Sequence, residues 1–159
     1  MGTQQVLLIV LAIIIVGVAV AVGITMFGKQ SSSSNREALK ADLATFAAQA
    51  IAFYKTPAGM AGGGNGNPGF GANIAETQRT VGRWIGLDAN GKFTNDNGYY
   101  HLGWNFGKDR IEIIACGNEK GQNPTLSASW IPTARRGNVV CYMYIEPKLN
   151  PPFRILTWN

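Results

Sequence analysis

Few residues in this chain are of types that perform chemistry, and they are thinly spaced. The one histidine, His101, stands inside the aromatic run YYHLGWNF. A catalytic imidazole needs a nucleophile or an orienting carboxylate within reach, and the spacing along the chain nominates neither. A histidine on a sheet surface is the simpler reading. The two cysteines, Cys116 in IIACG and Cys141 in VVCYMYI, fall in strand-like stretches and match neither metal-ligand spacing nor a haem-attachment motif. Two cysteines in a domain outside the cytoplasm usually pair. A loop of this length closed by a disulfide stabilises a fold by roughly 3–4 kcal/mol in the chain-entropy account. A Cys116–Cys141 disulfide is therefore expected, and with it an extracytoplasmic domain. The alternative is two buried thiols.

Residues 57–73, PAGMAGGGNGNPGFGAN, are rich enough in glycine to suggest a phosphate cradle. A P-loop also needs G-x-x-x-x-G-K-[ST], and no Lys-Ser or Lys-Thr closes this run. A surface-packed loop is expected instead. The formal charge is +5, from 14 Lys+Arg against 9 Asp+Glu, and Arg135-Arg136 with Lys148 and Arg154 form the only suggestion of a DNA-binding patch. Such a patch must contact several phosphates together, so solvated arginines are the plainer expectation. No catalytic residue, cofactor site or metal site emerges.

The elements that carry these residues begin with MGTQQVLLIVLAIIIVGVAVAVGITMF, which holds no charged side chain; the first is Lys29. At about 1.5 Å per residue, Val6–Phe27 reaches roughly 30 Å as a helix, the thickness of a bilayer's hydrocarbon core. In lipid only a helix lets such a segment satisfy its own backbone. A cleaved secretory signal would carry a basic start, a shorter apolar stretch and a small-residue cleavage site, and none of the three is present. Ala12, Gly17, Ala19, Ala21 and Gly23 interrupt the bulky residues, as suits close helix–helix packing as well as simple membrane residence. By the positive-inside rule Lys29, Arg36 and Lys40 belong on the cytoplasmic side, whereas the cysteines point outward. The two agree if a basic leader has been removed and Met1 is a processed N-terminus.

Beyond this run, Leu39, Leu43, Phe46, Ala50 and Tyr54 recur at helical spacing and mark one apolar face. Ser34 and Glu37 have capping-box spacing, so a second helix could start there. One long helix from near Thr3 to Tyr54 is the preferred reading, ended by Pro57 and Gly59. Ile74–Leu87 suggests a short helix. Asn90-Gly91 and Asn97-Gly98 signal turns. Strands are expected at YYHLGWNF, RIEIIACG, LSASWIP, NVVCYMYIEP and FRILTW. The fold class is α+β: a long N-terminal helix with a hydrophobic first half, packed on a C-terminal antiparallel sheet. The organisation is 1–28 hydrophobic helix, 29–56 its amphipathic continuation, 57–98 a glycine-rich connecting region, and 99–159 the sheet.

This arrangement resembles a type IV pilin or pseudopilin. At residue level the likeness is concentrated in MGTQQVLLIVLAIIIVGVAVAVGITMF and LKADLATFAAQAIAFYK. The resemblance implies a leader trimmed by a prepilin peptidase, a methylated first residue, and hydrophobic half-helices packed as the core of a helical filament by an assembly machinery. Met1 matches the family's mature first residue. Gln5 departs from the family's Glu, whose carboxylate is thought to pair with a neighbour's terminal amine; a buried Gln costs less than a buried charge but forgoes that pairing. The family's helix-breaking proline is missing too. If cleavage instead follows Gly2, Thr3 becomes the first residue and Leu7 the fifth.

The sequence thus carries the expectation of a structural subunit that polymerises with copies of itself. It would reside in the cytoplasmic membrane before assembly and in an extracellular filament afterwards, serving adhesion, motility or attachment. Met1 and Gln5 would form the assembly end, and Leu7, Leu8, Leu11, Ile14, Gly17 and Gly23 the packing surface. The alternatives are a monomeric membrane-anchored binding module, or a minor pseudopilin or DNA-uptake pilin. No enzymatic role is expected.

Overall fold

The computed structural model describes residues 2–105, 107–121 and 137–158, with only the backbone of 104, 105 and 158. The chain divides into two compact units, Met1–Ser34 and Asn35–Asn159. One helix, α1 (Thr3–Lys55), runs through both. Ser34 starts no second helix: the backbone stays helical there, and Glu37 Oε1 accepts from Lys40 Nζ at 2.8 Å on the same helix.

In the second unit, α1 buries the expected stripe of Leu39, Leu43, Phe46, Ala50 and Tyr54, together with Ala47 and Phe53. These pack on one face of a five-stranded sheet. Its strands are β1 (Lys92–Thr94), β2 (Gly98–Asn105), β3 (Ile111–Lys120), β4 (Asn138–Ile145) and β5 (Phe153–Trp158). Each is antiparallel to the next and the spatial order is the chain order. Four of the strands lie where alternation placed them. The strand expected over 126–132 lies outside the described residues. The short β1, not anticipated, occupies the gap between the two Asn-Gly turns and pairs Phe93 with Tyr100.

Alternation along the strands gives the sheet two faces. Tyr100, Leu102, Ile111, Ile113, Ala115, Cys141, Met143 and Ile145 join α1 in the main core. Ile114, Cys116 and Val140 form a separate buried cluster, flanked by Tyr99 and Tyr142. Between α1 and β1 the chain forms a short helix, α2 (Ile74–Thr77), capped by Asn73 Oδ1, which accepts from the Glu76 amide at 3.0 Å. It continues as a π-helical turn, Gln78–Gly82, whose Val81 enters the core.

The expected disulfide is not present. In the β3–β4 register Cys116 stands opposite Val140, and Cys141 opposite Ala115. The cysteines are therefore one step out of register and on opposite faces of the sheet, Cys141 in the main core and Cys116 in the smaller cluster. A bridge needs Cβ atoms about 3.5–4.5 Å apart with converging directions, which this register forbids. Both side chains are buried. Burial pushes the Cys141 thiol up to about 11, making it an apolar filler rather than a nucleophile. The inference of an extracytoplasmic domain from paired cysteines falls with the bridge.

Candidate assembly surface

The surface that sequence and structure single out together is the first unit. From Val6 to Phe27 the helix carries sixteen large apolar side chains, 49–76% exposed. An amphipathic helix has one apolar stripe; a helix apolar all round is normally buried. Complete burial of each such side chain is worth about 1.5–3 kcal/mol, so leaving them all in water is strongly unfavourable. Leu7, Leu8, Leu11 and Ile14 are among them, and Leu7, Val10, Leu11 and Ile14 line a shallow apolar cleft of about 250 Å³. The helix is long and apolar enough to cross a membrane, a test that a secretion signal near an N-terminus also passes.

Polar groups in this unit place few demands on a partner. Gln4 and Gln5 are exposed, and the Gln5 amide donates to the Gly2 carbonyl at 2.9 Å, closing the first turn. Thr25 Oγ1 donates to the Val22 carbonyl at 2.8 Å, so its hydroxyl is satisfied within the helix. Met1 lies outside the described residues. Gly17, Gly23 and Gly28 each stand in open space, with nothing within 4 Å of where a Cβ would be. Each costs the helix about 0.5–1 kcal/mol relative to Ala. Among the described residues, nothing requires glycine at these positions.

The second unit accounts for the other singled-out residues. The glycine-rich loop is a helix cap. The amides of Gly63, Gly64 and Asn65 donate to the carbonyls of Phe53, Thr56 and Tyr54, each at 2.8 Å. These carbonyls lie at and just past the end of α1, where the last turn runs out of intrahelical donors, and the Phe53 carbonyl also accepts from the Thr56 amide at 3.1 Å. Gly64 adopts φ +58 and Gly66 φ +106, backbone that other residues seldom reach. A Cβ on Gly66 would stand 2.8 Å from Tyr54 Oη, 3.1 Å from Asp109 Oδ1 and 3.4 Å from Lys148 Nζ. Those three side chains are linked: the Tyr54 hydroxyl donates to Asp109 Oδ1, and Lys148 Nζ donates to Asp109 Oδ2 at 2.7 Å. The Lys148 ammonium, then the Tyr54 hydroxyl, hold the Asp109 carboxyl below its ordinary range.

Of the basic residues weighed for DNA, Arg135 and Arg136 lie outside the described residues. Lys148 pairs with Asp109, and Arg154 with Glu146 at 3.6 Å. Arg110 reaches the same Glu146 at 3.5 Å and lies over the Tyr144 ring, 4.7 Å from its centroid.

His101 lies on the sheet face away from α1, stacked on Tyr99 at 6.5 Å and registered opposite Lys92. Its Nδ1 is buried without a hydrogen-bond partner among the described residues. Burial, then the Lys92 charge, lower its pKa below the ordinary value, against the opposing pull of Asp88.

Sequence reasoning missed one polar cluster. Asp42, flanking the apolar stripe, accepts from Tyr100 Oη, from Asn97 Nδ2 at 2.8 Å and from Asn95 Nδ2 at 3.0 Å, all on Oδ2. Burial raises the Asp42 pKa, and these hydrogen bonds more than offset it. An acidic residue beside Leu39, Leu43 and Phe46 was the available signal. Comparison with family models, with curated proteins and with solved structures finds no match to this chain.

Proposed function

We propose that this protein is a structural subunit that polymerises with copies of itself through the apolar half of α1, forming a pilin-like filament. One observation carries the reading: a helix with sixteen large apolar side chains exposed on every face. A membrane can cover such a helix, and so can other copies of it. The run of small residues favours copies, because Gly and Ala let helix backbones approach closely and lipid makes no such demand. The second unit, with its own core, would then be carried as a decoration and supply whatever surface the filament presents.

On this reading the membrane holds the subunit before assembly, a prepilin peptidase and assembly machinery process it, and the filament lies outside the cell. Because no side chain between Gly2 and Gly28 is charged, identical copies can align side by side along that stretch without repulsion between side-chain charges. Gln5 would contribute a hydrogen bond where a carboxylate would need a counter-charge.

The competing reading is a monomeric anchored module, favoured by the same helix's capacity to cross a membrane. Electron microscopy of material sheared from cells expressing the chain separates the two. Thin filaments whose density fits this sequence, with Val6–Phe27 at the axis, are the expected result. Absence from that fraction, with the protein retained as a monomer in membranes, would overturn the filament.

A further inference from the structure

We infer that Asn65 is a site of spontaneous covalent modification: the Gly66 nitrogen displaces its side-chain amide, and the residue ends as aspartate or isoaspartate. This holds whether or not the chain polymerises.

Three Asn-Gly pairs occur, Asn65-Gly66, Asn90-Gly91 and Asn97-Gly98. Glycine places no side chain in the way of its own nitrogen, so each pair is open to this reaction in an unfolded chain. Folding separates them. At Asn97-Gly98 both reacting groups are held. Asn97 Nδ2, the group that must leave, donates to Asp42 Oδ2 at 2.8 Å, and the Gly98 amide donates to Asn95 Oδ1 at 3.0 Å. Gly98 is also buried and paired opposite Gly117 in the sheet. At Asn90-Gly91 the asparagine is exposed, but the buried Gly91 donates its amide to the Asp88 carbonyl at 3.0 Å. The amides of Asn90 and Lys92 both donate to Asp88 Oδ1 at 2.8 Å, which fixes the turn on either side.

At Asn65-Gly66 neither reacting group is held so firmly. Asn65 is exposed, and among the described residues its side chain has no hydrogen-bond partner. The Gly66 amide reaches the Gly63 carbonyl only at 3.3 Å, longer than the ordinary range of about 2.7–3.2 Å. The displacement balances without a further reagent. The Gly66 nitrogen gives up its proton and bonds to Asn65 Cγ; the Cγ–Nδ2 bond breaks, and the departing group takes up that proton and leaves as ammonia. Water then opens the cyclic imide at one of its two carbonyls, giving aspartate or isoaspartate.

The site matters to the fold because the Asn65 amide holds the Tyr54 carbonyl at the end of α1. Isoaspartate lengthens the main chain there by a methylene. Either product also brings a negative charge next to Gly66, whose Cβ position lies 3.1 Å from Asp109 Oδ1. Modification therefore loosens the cap.

The test incubates the full chain, folded in detergent, at mildly alkaline pH and follows each asparagine by mass spectrometry of its digest. Labelling with an isoaspartate methyltransferase identifies the lengthened product, and a parallel sample in urea gives the unfolded rates. In urea the three pairs should react at comparable rates. In the folded chain Asn65 should react at least about fivefold faster than Asn90 or Asn97, the factor that one firm hydrogen bond makes. Asn90 or Asn97 keeping pace with Asn65 would overturn the inference. So would an Asn65 that reacts in urea and stays intact in the folded chain. The isoaspartate form, once separated, should melt below the unmodified chain; equal melting temperatures would overturn the loosening of the cap.

Discussion

Asp42 on α1 accepts the phenol hydrogen of Tyr100 on β2, tying the helix to the sheet beneath a fully buried aromatic ring. Phe46 stacks edge-on to the same ring, its centroid 5.2 Å away, so the polar contact lies at the margin of an apolar one. Removing the acceptor strands a buried hydroxyl and releases two asparagine amides. Asp42→Ala should therefore lower stability by about 1–3 kcal/mol. Pairing it with Tyr100→Phe should recover part of the loss, because the stranded donor is then gone. Chemical denaturation of the four species measures the coupling; strictly additive losses would show that the contact contributes nothing.

The pH response follows from His101. Its folded-state pKa is lowered by burial and by Lys92, so the neutral ring is favoured in the fold. The unfolded chain takes up the proton first as pH falls below about 6.5, and stability drops from there down through the folded pKa. Above that window the contribution is constant. Melting temperature should therefore decline between pH 7 and pH 5, and His101→Phe should flatten the decline. An unchanged slope in the variant would assign the effect elsewhere.

Because Cys116 and Cys141 face opposite sides of the sheet, reductant should not alter stability. Melting curves with and without dithiothreitol should superimpose. Thiol titration after unfolding under non-reducing conditions should find two reactive groups. A reductant-sensitive melting temperature would mean the register differs from that described.

Ile14 is 56% exposed and outside the core of the second unit. A lysine at the centre of the apolar segment costs about 2.5–3.5 kcal/mol in a membrane and more when repeated at every subunit contact. Ile14→Lys should abolish filaments while leaving the melting temperature of the detergent-solubilised chain within a degree or two. Normal filaments from this variant would exclude the helix as their core.

Much of the fold could be read from the sequence because it rests on periodicity. The stripe from Leu39 to Tyr54 needs only the helical repeat, and the strands around Ile113 and Cys141 need only alternation and β-branched residues. The cysteines show where such reading stops. Their relation depends on which residue of β3 faces which of β4, and on a register shift between Cys116 and Lys120. A one-residue change of register moves a side chain to the other face, and composition cannot supply that information. The same holds for the glycine-rich loop. Its glycines were visible, but their target carbonyls at Phe53, Tyr54 and Thr56 appear only once the chain turns back. The exposed apolar half of α1 was legible as an uncharged run from Val6 to Phe27.

The capping loop has a practical consequence for anyone engineering this protein. Glycine-rich surface segments are the customary place to graft an epitope, a tag or a fluorophore site. Here residues 62–71 are a poor choice, since amides there hold the end of α1 and Gly69 donates to Gly63 at 2.7 Å across the loop. The adjacent turn Ala58–Met60 has no buried residue, and Met60 is 72% exposed. A cargo inserted there would be displayed beside the cap without unpicking it.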